Sequence, residues 1–197
     1  GINSFSHLFV LSALEKEGIK EGDIFIASVG AQDLVRAIDQ GEVVAGHTYG
    51  PGKTQAEQQG YVFLAYSGDV QGIITDTLAF HEGIVVQRPL EIQAIVQSLF
   101  EAKKFQETNR EEALQILAKA LRDTPESIAK GIDDVQYLNL EQNANAMQKS
   151  DDLTNLYGAG ALIADFFLNR GQISKQPDFD VLIEDTFVRN LMQKDKP

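Results

Sequence analysis

The stretch Ile24–Tyr66 reads IFIASVG AQDLVRAIDQ GEVVAGHT YGPGKTQAEQQG YVFLAY, and it decides the fold class. Apolar, β-prone runs at Ile24–Val29, Val43–Thr48 and Tyr61–Tyr66 alternate with segments of helical spacing. Leu34, Val35 and Ile38 fall on one side of Ala31–Gln40, and Lys53–Gln59 reads as a second, short helix. Strand, helix, strand, helix, strand is the order that βαβ crossovers impose. An α/β fold is therefore expected, with a mixed, mainly parallel sheet flanked by helices.

Working outward, Phe5–Glu17 carries apolar residues densely enough for a helix buried on most of its circumference, and Gly18 supplies a left-handed stop. Downstream, Ile73–Phe80 and Gly83–Val86 are β-prone. From Pro89 the pattern turns helical: Leu90–Gln106, Asn109–Arg122, a helix opened by Thr124 as N-cap with Pro125 at N1, then Thr154–Asn169 and Asp178–Met192. An α/β front half thus meets a helical back half, with the division expected at residues 1–75 and 76–197. Only Gln193-Lys194-Asp195-Lys196-Pro197 reads as an unstructured tail.

Composition narrows function. Twenty-nine acidic against 17 basic side chains give a formal charge of -12, which opposes nucleic acid and anionic membrane surfaces, since both need clustered Lys and Arg. An anionic ligand must then be held by local donors. Cysteine is absent, which removes disulfides, thiolate nucleophiles and cysteine-ligated metals. No run of about 18 apolar residues occurs, and Gly1-Ile2-Asn3-Ser4 lacks the features of a signal peptide. Because Gly1 opens on what reads as the end of a strand, the chain is expected to be a trimmed portion of a longer protein.

Ligands of open parallel sheets sit beyond the carboxyl ends of strands and at helix N-termini. That rule selects Ser4, Ser6 and His7 at the start of the first helix, where the alternative is plain N-capping by Ser4 or Asn3. It also selects Thr48 and Tyr49 in the small-residue loop Gly46–Gly52, whose alternative is a turn with a surface tyrosine. Asp76, inside the apolar run Ile73–Leu78, either holds a hinge hydrogen bond or faces a polar ligand group. Enzyme chemistry is poorly served. His7, His47 and His81 have no metal-ligand spacing, and Gly50-Pro51-Gly52-Lys53-Thr54 is not a P-loop, because His47 stands where its first glycine belongs.

Read in order, these segments resemble the substrate-binding proteins of nitrate, sulfonate, taurine and thiamine-pyrimidine ABC importers, a branch of the type II periplasmic binding proteins. Gly1–His7 with Leu14–Ile19 resembles the family's glycine-serine turn and following helix. Ala37–Ala45 is similar to its "AL-x-x-GEVDA" element, with Val44 in place of the usual Asp, and Tyr49-Gly50-Pro51 to the aromatic and proline beyond it. Ile74–Leu78 resembles an "I-x-D-x-L" strand between lobes. Leu140–Asn143, Ile163–Phe167, Gly171–Ile173 and Ile183–Phe187 are similar to its C-terminal helices.

The resemblance implies two lobes, the first incomplete. Residues 1–75 would be the second α/β lobe, and 76–197 the return crossing with the helical half of the first. It implies a periplasmic or extracellular location, membrane association through an N-terminal signal or anchor, and an ABC permease as partner. It further implies capture of a small polar or anionic solute in an interlobe cleft by hinge closure, without cofactor or catalysis. The carried-over ligand residues are Ser4, Ser6, His7, Thr48, Tyr49 and Asp76. A sensory ectodomain and a pyrimidine-biosynthesis enzyme are the alternative uses of such a fold.

Overall fold

The computed structural model describes residues 1–194. Its helices are α1 (Phe5–Lys16), α2 (Leu34–Asp39), α3 (Pro51–Gln58), α4 (Glu82–Gln87), α5 (Pro89–Thr108), α6 (Arg110–Leu121), α7 (Pro125–Asp133), α8 (Leu140–Ala146), α9 (Leu156–Asn169), α10 (Phe179–Leu182) and α11 (Thr186–Lys194). Most begin where capping chemistry directs. Thr124 Oγ1 accepts from the Ser127 amide at 3.2 Å to open α7, with Pro125 at N1. Gln193 and Lys194, expected in the tail, continue α11, while Asp195–Pro197 lie outside the described residues.

The chain divides into two compact units, Gly1–Asp76 with Lys149–Leu182, and Thr77–Gln148 with the chain from Ile183 onward. In the first unit α1 lies against α9, and the core gathers Leu8, Phe9, Val70 and Ile73, with Val10, Ala65, Ile163 and Phe166 packed on it. Gly72, at φ +78°, precedes Ile73 in a turn so close to Leu153 that no side chain fits. Val35 and Ala37 of α2 are almost wholly buried. In the second unit α5 packs on α4, α6 and α11, around Ile92, Ala113, Ala118, Ile128, Val188 and Leu191.

The expected sheet is not present as a ladder among the described residues. Segments 24–29, 45–49, 61–66 and 75–80 have no helical or turn structure, yet no backbone hydrogen bond joins one to another. In two of them burial nonetheless alternates with the period of a strand. Ile24 and Ile26 are half-buried around an exposed Phe25, and Tyr61, Phe63 and Ala65 around exposed Val62 and Leu64. Apolar alternation selects an extended backbone and its inward side, whereas a ladder also needs neighbours about 4.8 Å apart and in register, which the pattern of one segment does not encode. A second correction concerns Gly83–Val86, expected as β and found inside α4. There His81 Nδ1 accepts the Gly83 amide at 3.1 Å, a cap that outweighs the β preference of Ile84, Val85 and Val86.

Candidate functional site

The start of α1 is built by an unusual turn. Asn3 adopts a left-handed φ of +58°, which asparagine tolerates better than most residues. Ser4 is the extended N-cap, but its hydroxyl does not cap. It donates to the Gly1 carbonyl at 2.5 Å instead. The amides of Phe5 and Ser6 therefore keep the orphan status of a helix start, and with the helix dipole they favour an acceptor group beside the half-buried Ser4 and Ser6.

The Gly46–Gly52 loop meets this turn through rings. Phe5 lies edge-on to His47 at 6.2 Å between centroids and 6.5 Å from Tyr49, while His47 is 5.0 Å from Phe9 and 5.8 Å from Tyr49. Phe5 and Tyr49 are 45% and 57% exposed, so both offer flat apolar faces to solvent beside the helix start. The loop closes this tightly because of its glycines. A Cβ on Gly46 would lie 2.5 Å from Leu34 Cδ1, and one on Gly52 would lie 2.2 Å from Thr48 Oγ1 and 2.8 Å from the Ala31 carbonyl oxygen.

The sequence-selected residues have different placements. Ser4, Ser6 and Tyr49 gather around Phe5, either next to it in sequence or by ring contact. Thr48 is occupied, its hydroxyl donating to the Ala31 carbonyl at 2.7 Å. His7 turns away from these rings into the core, where it meets Phe166 edge-on at 5.7 Å. Asp76 is exposed and has no hydrogen bond or ion pair among the described residues. Phe5 and His47 were not among the selected residues. His47 Nδ1 is buried without a hydrogen-bond partner, and burial holds this imidazole below its ordinary pKa, with the Gly1 amino group adding to the effect. An open cavity of about 620 Å³ in the second unit, lined by residues that include Leu90, Gln93, Phe187 and Asn190, contains none of the selected residues.

His7 responds in the same direction. Burial lowers its pKa first, the Arg170 guanidinium lowers it further, and the Gly1 amino group acts in the same sense, against the opposing pull of Glu21. Glu21 is itself held below the usual carboxylate range by its hydrogen bond from Arg170. Unfolding lets both imidazoles take up protons at their ordinary 6.5 that the folded unit refuses, so stability is complete above that value and falls as the pH drops below it. Glu21 adds a second loss, as the pH falls below the ordinary 4.5 of its carboxyl. The urea midpoint is expected to decline steadily between pH 7 and pH 5, and the double substitution His7→Gln, His47→Gln should flatten that slope. A midpoint unchanged over this range would contradict the burial of both rings.

The fold is similar to part of that of a solved binding protein. The crystal structure of the periplasmic aliphatic sulphonate binding protein SsuA from Escherichia coli matches 94% of the chain with a TM-score of 0.66 at 23% sequence identity. The chain spans 61% of that protein's length. It belongs to the NMT1-like family, whose family model matches residues 3–122, a span that includes every sequence-selected site residue. No curated protein sequence matches it. Among the described residues no helix is long and apolar enough to cross a membrane.

Proposed function

We propose that this chain is the solute-capturing portion of an extracytoplasmic binding protein of an ABC importer, and that it acts without catalysis. The observation that carries the reading is the uncapped start of α1 beside the exposed rings of Phe5 and Tyr49. Backbone donors there suit the oxygens of a small anion or polar solute, and the rings suit its apolar part. Local donors are what a chain of charge -12 needs to hold an anion. The fold shared with a periplasmic sulphonate-binding protein supports the same use.

In this reading residues 1–75 belong to the second lobe, the chain from residue 76 returns to the first, and Lys149–Leu182 packs back on the second. The solute is a sulfonate, nitrate, bicarbonate or pyrimidine-like molecule, and Ser4, Ser6, His7, Thr48, Tyr49 and Asp76 contribute to its site or its support. The two lobes of the full-length protein close on the solute, and a permease in the membrane reads the closed form. Segments 24–29, 43–48 and 61–66 pair there into a mixed, mainly parallel sheet, and a signal or anchor places the protein at the outer face of the membrane. The alternating burial of residues 24–26 and of 61–66 supports the pairing.

The test is a thermal-shift panel on the full-length protein with ethanesulfonate, nitrate, bicarbonate and an aminopyrimidine. At about 100 times its Kd a solute that binds only the folded state adds roughly 2.7 kcal/mol, enough to raise Tm by several degrees. One member is expected to do so, and Ser4→Ala and Tyr49→Ala should each reduce the shift. Silence across the panel would contradict the solute reading. A positive response untouched by either substitution would move the site elsewhere.

A further inference from the structure

We infer that Arg170 is a positioning residue of the α1 start, acting through a closed ring of Asn3, His7, Glu21 and Arg170; the inference rests on the site proposed above. The Asn3 amide donates to His7 Nδ1 at 3.0 Å. That bond leaves the proton of the neutral imidazole on Nε2, which faces Glu21 Oε1 at 3.3 Å in a contact not aligned as a hydrogen bond. Glu21 Oε2 accepts from Arg170 Nη2 at 2.7 Å, and Arg170 Nη1 returns to Asn3 Oδ1 at 3.1 Å. The guanidinium lies 4.4 Å above the centre of the Phe166 ring, and the same ring receives His7 edge-on. Four residues from the entry loop, α1, the 3₁₀ turn Glu21–Asp23 and the residue that caps α9 thus hold one another.

What the ring holds is Asn3, in a backbone conformation that costs a non-glycine residue free energy. Both Asn3 groups that meet the ring, its amide and its side-chain oxygen, are fixed in that left-handed turn. The next residues are Ser4, Phe5 and Ser6, so the turn sets where the uncapped amides point. Arg170 suits this role because a planar guanidinium donates in two directions at once, and a lysine ammonium does not reproduce that fork. Both of its terminal nitrogens are engaged within the protein, and its side chain is 21% exposed. It therefore supports the site instead of contacting the solute.

The experiment uses three full-length variants, Arg170→Lys, Asn3→Gly and the double variant. The first readout is amide exchange without solute at Leu8, whose amide donates to the Ser4 carbonyl at 3.0 Å in the first bonded turn of α1, and the second is affinity for whichever member of the panel the wild type binds. Arg170→Lys is expected to speed exchange at Leu8 and to weaken affinity, each by severalfold, less than the left-handed penalty of most residues would give because asparagine tolerates that turn better. Adding Asn3→Gly should restore most of the affinity, because glycine holds the left-handed turn without a ring. A merely structural arginine would not be rescued in this way. Exchange unchanged in Arg170→Lys overturns the inference, with or without a solute. Affinity lost in Arg170→Lys but not regained with Asn3→Gly also overturns it, in favour of direct contact. If the wild type binds no probe, the solute reading fails by itself and the exchange readout still decides the role of Arg170.

Discussion

Gly72→Ala is expected to destabilise the first unit by roughly 2–5 kcal/mol, the sum of a left-handed backbone penalty and an overpacking cost. The residue sits at φ +78°, and a Cβ built there would lie 1.9 Å from the Leu153 carbonyl oxygen, 2.9 Å from its carbon and 3.1 Å from Ala159 Cβ. Two of those atoms belong to backbone, which cannot swing aside as a flexible side chain does. The adjoining residue is Ile73, 3% exposed and packed in one cluster with Leu8 and Phe9 of α1. A shift at Gly72 is therefore transmitted to the helix whose start forms the candidate site. Gly18→Ala is the matched control, since Gly18 has φ +74° and nothing within 4 Å of its hypothetical Cβ. It should cost only the conformational share, about 1 kcal/mol. Urea unfolding of both variants separates the two effects, and equal costs would show that the approach of Leu153 is not a fixed feature of the fold.

What the sequence disclosed and what it withheld divide along physical lines. Helices were legible wherever amphipathic spacing and caps agreed. Phe5–Lys16 matches the expected Phe5–Glu17 to within a residue, and the Thr124-Pro125 start of α7 is where the cap chemistry put it. The helix expected over Asp178–Met192 is instead α10 and α11, because the Glu184 carboxylate accepts the Thr186 amide at 2.9 Å and opens a new start inside the apolar pattern. In α8 the Asn139 side chain accepts the Gln142 amide while the Gln142 side chain accepts that of Asn139, a capping box that hydrophobic periodicity does not register.

The candidate site was legible only where it is local. Ser4 and Tyr49 could be selected because a helix start and a glycine-rich loop announce themselves in a few consecutive residues. His7 belonged to the same local motif, yet its side chain is 2% exposed and serves the ring around Asn3. The direction of a side chain depends on the helix register against α9, which a local motif does not carry. Arg170 lies 167 residues from Asn3, and nothing near it in sequence distinguishes it from a basic residue placed after a helix to suit the dipole. Its role exists only after α9 has packed on α1.

In the second unit the largest expected effect is at Ile92. Helix α5 runs for 20 residues, yet Ile92 alone among them is buried, at 1% exposure, while Leu90, Ile95 and Leu99 remain 82%, 44% and 54% exposed. The hydrophobic anchoring of this long helix is thus concentrated near its N-terminal end. The next residue, Gln93, ties α5 to α11, donating through Nε2 to the Phe187 carbonyl at 3.0 Å and accepting from Asn190 Nδ2 at 3.0 Å. Removing the Ile92 side chain weakens the packing that keeps both bonds aligned. Ile92→Ala is expected to cost about 2–5 kcal/mol and Ile92→Val about 0.5–1.5 kcal/mol, as for other buried isoleucines. Leu99→Ala, on the same helix but half out in solvent, should stay within about 1 kcal/mol. Amide exchange across α5 and α11 then gives the decisive comparison. If Ile92→Ala loosens those helices no more than Leu99→Ala does, α5 is held by its polar bonds to α11 and not by its one buried side chain.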